Sequence, residues 1–178
     1  MNCWKSFNIT KDHGSIRLII LSLFFMVTFF IFFNISVAAF FNKTTVVAFN
    51  PFIIVVIFLL VMPLHKILHG LPLWLTRKKT IFQWNRTLIL PSLRFNQLLS
   101  KRLCLMVMIF PALIGTVLTI VLTWAFPSGM DYFGTYGALN FGISAIDFLY
   151  IINLLKAPHQ SYIEDDQNGC KILIKQTS

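Results

Sequence analysis

Acid is what this chain has least of. Six aspartates and glutamates stand against fifteen lysines and arginines among 178 residues, a formal net charge of +9. Charged residues of both signs make up 12% of the chain and hydrophobic ones 57%. An ordinary water-facing domain, with about 25% charged residues, is excluded by those proportions. Cysteine is also sparse: Cys3, Cys104 and Cys170 are scattered, with no C-x-x-C spacing. No structural disulfide is expected from them. No internal repeat is evident either, which argues against a secondary transporter built from paired halves.

What the chain has instead is long apolar runs, at a mean hydropathy of +0.76. A helix needs about 20 apolar residues to cross the hydrocarbon of a bilayer. Four spans meet that length: Leu18 to Phe41, Val46 to Leu75, Leu103 to Phe126 and Tyr132 to Leu155. Each must be a helix, because lipid offers a bare backbone no hydrogen-bond partner. The fold expected is an all-α polytopic membrane protein, its helical domain covering 1–158 and a cytoplasmic tail 159–178. The first span is longer than a signal-peptide core, and no small-residue cleavage site follows it, so it reads as a retained anchor. Its phenylalanine-rich stretch "FFMVTFFIFF" (24–33) suggests lipid contact or loose packing. Asn34 and Ser36 within the span can bond to neighbouring helices or to their own backbone.

The cations set the orientation. The loop 77–102 holds Arg77, Lys78, Lys79, Arg86, Arg94, Lys101 and Arg102 without one acid. Lys5, Lys11 and Arg17 precede the first span, and Lys156, Lys171 and Lys175 follow the fourth. The opposite loops carry only Lys43 and Asp131. Cationic loops favour the cytoplasmic side, so both termini and the basic loop are expected there, in a multi-pass protein of the cell membrane. The positive charge thus reads as topology and as attraction to anionic headgroups of the bilayer, and no nucleic-acid partner is expected. The N-terminal arm, with Trp4 and Phe7, should lie at the interface. Within the basic loop, "TIFQW" and "TLILPSLRF" suit a short hairpin that Pro91 would confine to an edge. In the tail, "SYIEDDQNGCKILI" suits a β-hairpin turning at Asn168-Gly169.

Five of the six acids fall in loops or arms, and Asp147 alone lies inside a span. A carboxylate in hydrocarbon costs a few kcal/mol even on a lenient scale, so it asks for a partner and a function. "VMPLHKILHGLPLWL" (61–75) offers one, because His65 and His69 are four residues apart on one helical face. Two imidazoles and a carboxylate are a zinc ligand set. Counted from Leu75, the histidines lie about 15 and 9 Å from the end of their span, and Asp147 about 12 Å from Leu155. Both spans run in the same direction, so the three side chains can share one layer. Asn140, two turns from Asp147, could bond a ligand, with Ser144 nearby, while Gly137, Gly142 and Ala145 permit close helix approach. Pro63 and Pro72 bracket the histidines and loosen the backbone ladder. Two plainer arrangements also fit: an interfacial histidine pair with Lys66 snorkelling to headgroups, or Asp147 paired with Lys66 or a histidine.

In hydrolases carrying H-E-x-x-H, the glutamate takes a proton from the attacking water and passes it to the leaving amine. Here that position is Lys66, and a protonated lysine accepts no proton. The usual hydrolysis should therefore be absent.

The segments "PLHKILHGLP" (63–72), "GISAIDFLYIINLLKAP" (142–158) and "YIEDDQNGCKILI" (162–174) resemble the bacterial "putative zincin peptidase" membrane family, similar in architecture to site-2-type intramembrane metalloproteases. The resemblance implies zinc as cofactor, with His65 and His69 as ligands and Asp147 as the third. Lys66 and Asn140 would stand behind them. It supplies no catalytic glutamate. The function that follows is a zincin-like, metalloprotease-like protein lacking its base, able to hold zinc or a membrane-protein partner. An active protease with an altered base, or a metal-free structural or proton-relay component, are the alternatives.

Overall fold

The computed structural model describes residues 1–41, 50–78, 81–85, 90–94, 97–166 and 169–174. The expected start of the second span at 46–49, Lys43, Lys79, Arg86, Lys175 and the turn residue Asn168 lie outside the described residues. A short helix α1 (Ile9–His13) leads into α2 (Ser15–Phe41), followed by α3 (Pro51–Leu75), α4 (Lys101–Ala125) and α5 (Met130–Leu155). The last four are long and apolar enough to cross a membrane. Their ends lie within about five residues of the sequence expectation, and polar side chains cap the starts of α3 and α4. Asn50 accepts a hydrogen bond from the Phe52 backbone N–H ahead of Pro51, and Ser100 accepts one from Leu103. Asn8 and Asp12 cap α1 reciprocally.

Helix α5 is the axis of the bundle, packing against α2, α3 and α4. Its small residues make this possible. A Cβ added at Gly134 would lie 2.3 Å from the Phe33 ring, one at Gly137 within 2.7 Å of both Phe29 and Thr119, and one at Gly142 3.0 Å from the Ser22 carbonyl. The phenylalanines of α2 therefore divide. Phe24, Phe32 and Phe40 face outward as expected. Phe25 and Phe29 instead pack on Phe141, and Phe33 sits over Gly134, so lipid contact is only half of their role. A cavity of about 460 Å³ opens between α2 and α4, lined in part by Phe29, Phe33, Val37, Ile120 and Thr123.

One face of the bundle end carries a four-stranded sheet, where the tail alone was expected to form a hairpin. Strands β5 (Ser161–Asp166) and β6 (Gly169–Ile174) are that hairpin. The N-terminal arm, expected at the interface, is strand β1 (Asn2–Phe7) and pairs with β6, Phe7 opposite Cys170. β4 (Leu99–Ser100), the lead-in to α4, pairs with β5, giving the order β1-β6-β5-β4. Arm and tail were missed as partners because their pairing spans almost the whole chain. Phe7, Ile163 and Ile172 are buried with Leu18, Cys104 and Leu154, so the sheet's apolar face covers the ends of α2, α4 and α5. Lys101 ties this end together. Its buried ammonium donates to the carbonyls of Leu155 (3.2 Å) and Ala157 (2.5 Å), which end α5. A separate hairpin, β2 (Ile81–Asn85) and β3 (Leu90–Arg94), lies in the basic loop with Pro91 opposite Trp84. No disulfide joins Cys3, Cys104 and Cys170.

Candidate metal centre

Helices α3 and α5 bring His65, His69 and Asp147 together, all three buried. The one-face spacing of the histidines sets their rings at 4.9 Å, edge to face. Asp147 reaches both. Its Oδ2 lies 3.0 Å from His65 Nε2 and 3.4 Å from His69 Nε2. One donor atom from each residue falls within 4.8 Å of the other two.

The other ring nitrogens are also engaged, and their partners determine the tautomers. His69 Nδ1 lies 2.8 Å from the Val107 carbonyl oxygen of α4. A carbonyl only accepts, so Nδ1 carries the proton. Asn140 lies between α4 and His65. Its Nδ2 donates to the Pro111 carbonyl at 3.0 Å, which leaves Oδ1 to accept from His65 Nδ1 at 3.0 Å. The orientation of the amide is fixed by the carbonyl it meets. Both Nδ1–H groups are thus committed to oxygen acceptors, the arrangement that orients metal-binding histidines in general.

The consequence is electrostatic. With both protons on Nδ1, neutral rings present Nε2 lone pairs to a carboxylate oxygen at 3.0 and 3.4 Å. Three such electron pairs repel unless a positive centre lies among them. Protons can supply it, and so can a metal cation. Zinc–nitrogen bonds of about 2.0–2.1 Å put tetrahedral ligands about 3.4 Å apart, which the His69 contact matches, while the 3.0 Å His65 contact is also an ordinary hydrogen-bond length. Among the described residues no buried side-chain nitrogen or oxygen lacks a hydrogen-bond partner, so the polar layer is complete apart from what lies between these three atoms.

The remaining sequence candidates divide. Asn140 is fully buried and holds His65. Lys66 is half-buried and makes no hydrogen bond or ion pair with the described residues, so Asp147 pairs with the histidines and not with the lysine. Ser144 returns its hydroxyl to the Asn140 carbonyl on its own helix and stays out of the layer. Asn34 and Ser36 likewise bond to their own backbone. The contribution of α4 was not foreseen. Val107 and Pro111 act through backbone carbonyls, which no side-chain pattern displays. A proline in the middle of the third span was the available signal.

A family model described as "Putative zincin peptidase" matches residues 58–162, more than half of the chain. The match includes both histidines, Asn140, Asp147 and the α4 segment that holds them. No curated protein and no solved structure matches the chain. By that match the chain belongs to the "putative zincin peptidase" family.

Proposed function

We propose that this membrane protein holds zinc through His65, His69 and Asp147 and does not run the usual metallopeptidase hydrolysis. The observation that carries the metal is one carboxylate oxygen lying 3.0 and 3.4 Å from two Nε2 atoms, with both Nδ1–H groups already donating elsewhere. Zinc, when bound, supplies Lewis acidity there. What the chain does not supply is the proton acceptor. Lys66 stands where H-E-x-x-H hydrolases carry glutamate, and a cationic ammonium takes no proton from water. The role supported best is recognition: a zincin bundle that binds a membrane-protein partner without cutting it. With the cationic loop and both termini on the cytoplasmic side, the ligand layer lies in the cytoplasmic half of the membrane.

Metal content decides between this reading and its rival. Purified wild-type protein should carry close to one zinc per chain by elemental analysis. Asp147→Ala and His65→Ala should each lose most of it. Absence of zinc from the wild type, unchanged by either substitution, leaves a proton-bridged His–Asp–His cluster and removes the metal.

A further inference from the structure

A proline in the middle of a membrane helix removes one backbone donor. In α4 that proline is Pro111. Having no N–H, it cannot bond to the carbonyl four residues before it, and its ring pushes that carbonyl aside. The carbonyl in question belongs to Val107. It is the one that accepts from His69 Nδ1 at 2.8 Å. One turn on, the carbonyl of Pro111 itself accepts from Asn140 Nδ2, and Asn140 holds His65. Each histidine is therefore oriented by one of two carbonyls that flank the same proline. Val107 and Pro111 are both buried, so water offers neither carbonyl an alternative partner.

We infer that Pro111 is the positioning residue for His69, acting through the Val107 carbonyl that its missing N–H leaves unclaimed, while the carbonyl of residue 111, which any residue would supply, holds Asn140 and through it His65. The mechanism is competition. An ordinary residue at 111 would donate its N–H to Val107, close the helical ladder and draw that carbonyl back toward the α4 axis. His69 Nδ1–H would then meet a carbonyl turned away from it and already accepting a helical bond. With Nδ1–H held less firmly, the ring gains access to the other tautomer, in which Nε2 bears a proton where a lone pair is needed. Gly115, one turn beyond Pro111, fits the same design: a Cβ there would lie 2.1 Å from Asn140 Nδ2, so this face of α4 is cut away to admit the amide.

This inference rests on the metal reading of the site, and the experiment separates the two. Pro111→Ala restores the N–H and should stabilise α4 itself. It should weaken binding of cobalt or zinc by about 10–100-fold in competition with a chelator, the usual effect of losing a partner behind a metal ligand. The visible spectrum of the cobalt-loaded protein should change. Thermal stability in detergent should hold or rise. Replacing Pro111 with lactic acid by nonsense suppression gives an ester that has no N–H and no ring, and this should restore wild-type affinity and spectrum. Nitrogen NMR of histidine-labelled protein without metal supplies the independent readout. His69 should carry its proton on Nδ1 in the wild type and the ester variant, and lose that fixed assignment in Pro111→Ala. If the NMR result holds while no protein binds metal, the zinc reading fails and the positioning role stands. If Pro111→Ala leaves the His69 signal, the affinity and the cobalt spectrum unchanged, the role is overturned.

Discussion

Replacing Gly115 with alanine adds one methyl group in the middle of α4, and the consequence can be worked through atom by atom. The new Cβ would lie 2.1 Å from Asn140 Nδ2 and 2.8 Å from its Cγ, well inside van der Waals contact. Asn140 cannot yield cheaply, because it is fully buried and bonded at both ends, to Pro111 and to His65. If the amide moves, two buried hydrogen bonds go, at about 1–2 kcal/mol each within a membrane. If it stays, the helices part, at an overpacking cost of about 1–3 kcal/mol. Gly115→Ala should therefore destabilise the protein by roughly 2–3 kcal/mol, the range that the two routes share. Gly70→Ala is the internal control. Its Cβ would meet only the half-exposed Trp74 ring, at 3.3 Å, and alanine favours helix by about 1 kcal/mol, so it should be near neutral.

Equilibrium unfolding in bicelles, by steric trapping, measures both variants on one scale. An Asn140→Ala background separates the steric clash from any general intolerance of α4. With the amide already gone, the added methyl group should cost less than about 0.5 kcal/mol, giving a large coupling in the double-mutant cycle. Two results would refute the reasoning: Gly115→Ala within about 1 kcal/mol of wild type, or an equal cost in both backgrounds.

Lys101→Met removes the two charge-assisted bonds to Leu155 and Ala157 and should cost about 2–3 kcal/mol, with faster hydrogen exchange confined to the end of α5 and to β5. Gly169→Ala forces a side chain into a backbone with φ of +133° and puts its Cβ 2.3 Å from the Phe7 carbonyl, so β1 should detach and the N-terminal arm become protease-sensitive while the helices persist. Lys66→Glu places a carboxylate where H-E-x-x-H hydrolases carry their base; on the proposed reading metal-dependent cleavage of a membrane substrate should appear in this variant and be absent from the wild type, and equal activity in both would remove the non-hydrolytic reading.

The helices were legible because hydrocarbon leaves the backbone one solution and polar caps end it, as Asn50 and Ser100 do. The ligand layer was legible for a related reason. Polar groups are so few in these spans that His65, His69 and Asp147, at matching depths, had little else to meet. What stayed hidden depends on contacts far apart in sequence or made by backbone atoms. β1 pairs with a strand at the other end of the chain, and its alternation is too short to announce a sheet. Val107 enters the site through a carbonyl, which every residue has. The glycines of α5 were read correctly as permitting close approach, yet only the structure assigns them to particular rings of α2.

In the proposed reading, Lys66 separates the chemistry of holding a metal from the chemistry of using one. Holding needs lone pairs fixed around a point, and each fixing partner here lies on α4 or α5: Val107, Asn140 with Pro111, and Asp147 itself. None of these bonds passes through residue 66. One residue on from His65, its side chain is turned about 100° around α3, away from the face the histidines share. A change there alters the charge beside the site and leaves its ligand geometry alone. A glutamate-to-lysine exchange is therefore compatible with an intact layer, whereas loss of Asp147 would leave the two Nε2 atoms with nothing between helices to converge on. For the same reason Lys66→Glu is a clean perturbation. It breaks no hydrogen bond among the described residues, so it adds a proton acceptor and a negative charge beside the His–Asp cluster without removing any partner that fixes the cluster.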